Sequence, residues 1–205
     1  MTHRLRFSGA ADLPAAVAAV AEAAERHAVV AVPTETFYGL AVPPDDAEAV
    51  QRLLEAKGRP AEKALPVVGA SLEQLEALVA VPATVRRYLS AVWPAPLTAV
   101  LPLKVPVAWR GETLAVRVPA HPLLRALLAR LGPRTATSAN RSGAPPARCA
   151  GEVEAALGAA VDLLLDGGTT SGGAPSTIVD FTTFPPILLR PGVFAVPEAW
   201  GVKSA

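Results

Sequence analysis

Residues 29–40, VVAVPTETFYGL, set four consecutive apolar residues directly ahead of Pro33, two threonine hydroxyls, a carboxylate and a phenol. A short apolar run bounded by a turn signal reads as a buried strand. In open α/β sheets ligands bind at the loops that leave strand ends, because the sheet supplies rigidity and the loop supplies exposed donors. VVAV is therefore expected as a strand and PTETFYGL as a strand-end ligand loop. The local residues leave one alternative open, an ordinary turn with a threonine cap.

Outward from this stretch, apolar positions switch repeatedly between helical and strand patterns, which predicts an α/β domain. On the N-terminal side, Asp12 is expected to cap a helix to about His27, with Pro14 tolerated in its first turn. On the C-terminal side, Asp45 with Glu48 forms a capping-box pattern ahead of AVQRLLEA, and Gly58 can end that helix. ALPVVGA (64–70) is a short strand, Ser71 with Gln74 opens a helix to about Val79, and Pro82 opens another that WPAPLT breaks. Strands follow at 98–103 and 113–118, then the amphipathic helix HPLLRALLARLG, the strand RTAT (134–137), a helix near 151–159, and strands at 161–166, 177–181 and 187–190. No repeat and no long linker interrupts this series, so the 205 residues are expected to form one domain, long enough to bury a sizeable core.

Composition excludes several classes. No uncharged apolar run of about 18 residues occurs, so no membrane span is expected. MTHRLRF followed by AVAAVAEAA loosely imitates a secretory signal, but Asp12, Pro14, Glu22 and Glu25 interrupt it. The single cysteine, Cys149, excludes an internal disulfide and suits a reducing, cytoplasmic compartment; it reads as a small packed thiol. His3, His27 and His121 have no ligand spacing, so a structural zinc site is not expected. A net charge of +1 argues against bulk electrostatic capture of nucleic acid, so any basic site must be local.

Three polar loops follow apolar strands: 33–40, 138–147 and 167–176. KGRP sets Lys57 and Arg59 at a helix end, where orphan carbonyls favour cations with or without a ligand. The sharper reading is a phosphate clamp, with lysine as point charge and arginine as bidentate fork. TSANRSG and GGTTSGGAPST add hydroxyls and glycines that let a backbone approach a nucleotide. Neither carries a Walker or dinucleotide fingerprint.

Together PTETFYGL, KGRP, WPAPLT, VRVPAHP, TSANRSG, STIVDF and RPGV, in this order and spacing over about residues 12–194, resemble the YrdC/Sua5 family of threonylcarbamoyl-AMP synthases. The resemblance implies a twisted mixed sheet flanked by helices around a basic cavity. It implies synthesis of threonylcarbamoyl-adenylate and pyrophosphate from L-threonine, bicarbonate and ATP, with Mg²⁺ accompanying the triphosphate. The product would pass to a tRNA threonylcarbamoyl-transferase for modification of adenosine 37. A catalysis-free RNA-binding module gripping tRNA or ribosomal RNA is the competing reading.

By the same resemblance Lys57 and Arg59 are expected to hold the triphosphate and stabilise the leaving group, with Thr98, Ser138, Asn140 and Arg190 on the nucleotide side. Thr34, Arg117, Thr137 and Ser176 are expected to line the threonine pocket, Arg117 gripping the carboxylate through two parallel hydrogen bonds. An ion pair within the sheet is the other role open to Arg117. Tyr38 is expected to close over either ligand. Two departures stand out: Val68 where some relatives carry histidine, and Ala95 where the WPGPLT form has glycine. The chain stops soon after RPGVF and is expected to be of the stand-alone YrdC type.

Overall fold

The computed structural model describes residues 2–58, 65–109 and 111–204. Its strands form two mixed ladders. The first has the order β1 (His3–Arg6), β9 (Leu163–Asp166), β2 (Val30–Pro33), β3 (Tyr38–Ala41) and β8 (Thr137–Ser138). The second runs β12 (Lys203–Ser204), β11 (Ile187–Arg190), β10 (Thr177–Asp180), β5 (Leu97–Pro102), β6 (Thr113–Arg117), β4 (Val67–Val68) and β7 (Arg134–Thr135). The expected strand RTAT is thus two strands: residues 134–135 pair with β4, and residues 137–138 cross to β3. Ala136 donates its N–H to Pro66 at this crossing, and Thr135 bonds to Val42 through both its N–H and its hydroxyl, stitching the two sheets together.

Side-chain alternation decides which face each residue meets. In β2 and β9, Val30, Val32, Leu163 and Leu165 pack on one face against α1 (Leu13–Glu25) and α5 (Pro122–Leu131). Ala31 and Leu164, with Tyr38 and Leu40 of β3, pack on the other against α2 (Ala47–Lys57) and α6 (Ala150–Leu157). A strand covered on both faces reads as a continuous apolar run, which is why VVAV carries no polar alternation. The second sheet has one such core face, where Leu97, Ala99, Leu101, Leu114, Val116 and Val179 meet α3 (Leu72–Leu75) and α4 (Ala83–Val92).

Several local expectations shift. PTETFYGL is not one loop: residues 34–37 turn a tight hairpin, and Tyr38–Ala41 return antiparallel to β2. His3–Arg6, expected as no element, form an edge strand parallel to β9. Asp12 does not cap α1; its Oδ2 accepts from the N–H groups of Ser8 and Gly9, one turn earlier. Asp46, not Asp45, caps α2 by accepting from the Ala49 N–H at 3.0 Å. Gly58 ends α2 at φ 58, the left-handed conformation that glycine adopts without steric cost. The helix at Ser71 is a single turn, Leu72–Leu75, whose Gln74 side chain bonds Ala70 N–H and Leu128 O.

Candidate active site

The second sheet's other face is where the chemistry collects. Ala99 pairs with Val116 in the core, so Thr98 and Arg117, one step along, project from the opposite face. Ile178 pairs with both Thr98 and Arg190, which brings Arg190 alongside. Arg190 donates to the Ser176 carbonyl through Nη2 at 2.7 Å and Nε at 3.2 Å, and the Ser176 hydroxyl lies 3.0 Å from that of Thr98. Gly192 makes this possible: a Cβ there would lie 2.2 Å from Pro175 O and 2.5 Å from Thr177 N. The RPGV turn is therefore pressed against the 175–177 backbone and holds Ser176 in place.

Arg117 is only 8% exposed, and its Nη1 lies 3.0 Å from Glu35 Oε1 in the hairpin turn of the first sheet. Burial lowers the guanidinium's pKa, opposed by the attraction of Glu35. Burial also lowers that of Arg190, and the nearby positive charge of Arg117 adds to it. Among the described residues, two guanidinium groups thus share one partly dehydrated region with the Glu35 carboxylate. The ion pair that Arg117 makes is not within its own sheet, the alternative role open to it, but reaches across to the hairpin turn of the other.

Thr34 and Tyr38 are engaged differently from expectation. The Thr34 hydroxyl donates to Phe37 O at 2.7 Å and accepts from the N–H groups of Thr36 and Phe37, the pattern of a threonine-capped turn. Its contribution is to fix Glu35 between Thr34 and Thr36. Tyr38 is fully buried in the core with α2 and α6, so it does not close over a ligand. Its hydroxyl donates to Gly168 O at 2.8 Å and accepts from Gly167 N–H at 3.1 Å, and burial pushes its pKa up to about 12. Tyr38 anchors the 167–176 loop from inside. That loop grips the turn in return: Ser171 Oγ donates to Glu35 O at 2.6 Å and Gly172 N–H to Thr36 O at 2.9 Å.

A second polar cluster lies on the other flank of the same hairpin, where Ser138 pairs with Gly39 and Ala139 donates to Tyr38 O. A Cβ on Gly39 would meet Thr137 O at 3.4 Å, an ordinary van der Waals contact. Thr137 itself is buried beside Leu40. Lys57, 3% exposed, donates to Ser138 O at 2.5 Å, Asn140 O at 2.9 Å and Asn140 Oδ1 at 3.2 Å. Ser138 Oγ donates to the same Oδ1 at 2.6 Å, while Asn140 Nδ2 donates to Ala144 O. The Lys57 ammonium therefore folds the SANRSG loop onto the end of α2.

Of the expected residues, the fold joins Thr98, Arg117, Ser176 and Arg190 in one group and Lys57, Ser138 and Asn140 in another, both bordering the 34–41 hairpin. Arg59 lies outside the described residues, as does Lys63. Val68 is buried in β4 against α5 and offers no polar contact. Ala95 needs no glycine geometry, since among the described residues only His27 is a non-glycine residue with positive φ. Glu35 was given no role from sequence; its signal was that of a lone carboxylate in an otherwise uncharged stretch from Ala28 to Pro44. Two open surface hollows, about 510 Å³ beside Ser71 and Arg125 and about 410 Å³ beside Leu188 and Phe194, contain none of the expected site residues. Among the described residues no three His, Cys, Asp or Glu side chains form a metal cage, and no helix is long and apolar enough to cross a membrane.

Residues 22–192 match the model of the Sua5/YciO/YrdC family, described as telomere recombination. The chain is 43% identical over 176 residues to a threonylcarbamoyl-AMP synthase of Pyrococcus abyssi, covering 83% of this chain and 52% of that protein. It is 42% identical over 170 residues to one of Chromohalobacter salexigens, covering 80% and 91%. Among solved structures, Sua5 of P. abyssi complexed with L-threonine superposes with a TM-score of 0.87 at 35% identity, covering all of this chain and 62% of that one. The chain spans about half the length of the P. abyssi relative and of a Bacillus subtilis one. By the match across its length and by these identities, the chain belongs to the Sua5/YciO/YrdC family.

Proposed function

We propose that the chain is a threonylcarbamoyl-AMP synthase, joining L-threonine, bicarbonate and ATP into threonylcarbamoyl-adenylate and pyrophosphate. The observation that carries this reading is the convergence of Arg117, Arg190, Ser176 and Thr98 on one face, opposite the Glu35 turn. The names of the relatives, and the L-threonine in the P. abyssi Sua5 structure, support it.

The reaction asks mainly for positioning and charge stabilisation. Threonine's neutral amine forms a C–N bond to carbon dioxide, one C=O electron pair moving onto oxygen and a proton leaving the nitrogen to solvent, to give a carbamate; from bicarbonate the same product forms with loss of water. A carbamate oxygen then forms a bond to the α-phosphorus of ATP in line, and the bond to the β-phosphate bridging oxygen breaks, its electron pair leaving on pyrophosphate. Two anions must meet, so fixed cations lower the barrier more than a protein nucleophile would. Arg117 suits the amino-acid carboxylate, since guanidinium and carboxylate match as two parallel hydrogen bonds. Ser176 and Thr98 present hydroxyls beside it. Arg190, Ser138 and Asn140 suit the nucleotide, with Lys57 holding the loop that bears the last two. Mg²⁺ would arrive with the triphosphate, held by phosphate oxygens and water, a mode that asks little of protein carboxylates. The unstable adenylate would be consumed by a tRNA threonylcarbamoyl-transferase, and the single thiol of Cys149 suits the cytoplasm where that transfer occurs.

The test is pyrophosphate release measured with each substrate withheld in turn, and mass spectrometry of the product from labelled bicarbonate. Release that requires threonine and bicarbonate together is the expected result. Turnover independent of either, or salt-sensitive RNA binding without turnover, would overturn the reading.

A further inference from the structure

The carboxylate of Glu35 faces the site, and the proposed function has not used it. Both of its carboxylate oxygens are buried, and among the described residues neither accepts a hydrogen bond. Its ion-pair partner among the described residues is Arg117, through a single Nη1 to Oε1 approach of 3.0 Å. A buried carboxylate ordinarily fills several of its four lone-pair positions, because water that would have filled them has been removed. This one faces Arg117 with Oε2 unfilled. The arrangement is not slack in a loop: Thr34 caps the turn, Ser171 holds the Glu35 carbonyl, and Gly172 holds that of Thr36. Three separate contacts fix the backbone that carries an unsatisfied acceptor.

A zwitterionic α-amino acid supplies the missing complement, with an anion for Arg117 and an ammonium about one residue's width away. We propose that Glu35 is the acceptor for the amino acid's ammonium, and so the residue that makes the site select an α-amino acid rather than a carboxylic acid in general. Resting on the reading of threonine as substrate, this deepens it. Arg117 anchors the carboxylate and Glu35 orients the ammonium, so that its nitrogen, once a proton has left it to solvent, takes up carbon dioxide from a defined position. His121 also lies within the field of Glu35, but burial lowers its pKa and so disfavours its charged form, and its Nδ1 accepts from Leu124 N–H at 3.1 Å. It therefore does not compete with an incoming ammonium for the carboxylate.

The experiment is isothermal titration calorimetry of the full chain with L-threonine and with 3-hydroxybutanoate, which lacks only the amine. Wild-type protein should prefer threonine by about 10- to 100-fold, the scale of one charge-assisted hydrogen bond. Glu35→Gln should lose that preference by weakening threonine alone, and Glu35→Asp should retain part of it. If Glu35→Gln binds threonine as wild type does, or loses both ligands equally, the inference is overturned. If it binds both more tightly, Glu35 is a competitor for Arg117 and the inference is again overturned. Equal wild-type affinity for the two ligands overturns it without any variant. Failure of the wild type to bind threonine at all would instead remove the functional reading, and this inference with it.

Discussion

Replacing Arg117 by glutamine tests the frame of the site more directly than any assay of turnover. The guanidinium and the Glu35 carboxylate are 9% and 17% exposed, 3.0 Å apart, and belong to different sheets. Removing one member of a buried pair leaves the other's charge uncompensated, a loss of about 3–5 kcal/mol. Arg190 lies close enough to act on Arg117 and remains in place, so the loss for Arg117→Gln should fall at the lower end, about 3 kcal/mol. Glu35→Gln leaves two guanidinium groups without their carboxylate and should cost more. In the double variant two neutral amides of similar volume face each other, and the coupling between the sites should be roughly 2–3 kcal/mol. Urea unfolding followed by circular dichroism measures all four proteins, and at this chain length the Arg117→Gln loss corresponds to roughly 6–12 °C in melting temperature. Additive losses, with coupling below about 0.5 kcal/mol, would mean that water separates the pair and that the sheets are not joined there.

Two further outcomes follow from the geometry. Tyr38→Phe removes the hydroxyl that bonds Gly167 and Gly168, so it should cost about 1–3 kcal/mol and raise amide exchange across 167–176, read by hydrogen–deuterium exchange. His27, raised in pKa by its hydrogen bond to Asp46 against an opposing loss of solvation, gains stability from the pair that is full below about pH 6.5 and is lost as pH rises through the higher folded value. Asp46 is itself lowered by the Ala49 N–H and His27 despite burial, so its share fades only in acid, and Asp46→Asn should flatten the loss between neutral and alkaline pH in urea midpoints.

What the sequence disclosed follows the range of the forces involved. Strand β2 and helices α2, α4 and α5 were legible because burial patterns and Gly or Pro stops act over a few residues. Strand β1 was not, since His3–Arg6 hold a single apolar residue, Leu5, and become a strand by pairing with residues 163–166, far along the chain. The split of 134–138 was hidden for the same reason: Ala136 turns the chain from one sheet to the other, and no local signal marks it.

The site divides along the same line. Residue types that suit a carboxylate and a nucleotide could be named from motifs, and Arg117, Arg190, Ser176 and Thr98 do meet. Their partners could not be named, because Lys57 bonds two backbone carbonyls and the Asn140 side chain 81 to 83 residues away, and Glu35 meets Arg117 across two sheets. A motif records which side chains are present, whereas a buried charge acquires its role from the lone pairs left around it after folding. The Glu35 carboxylate, partnered on one side and unfilled on the other, therefore gives the clearest indication of what the ligand must bring.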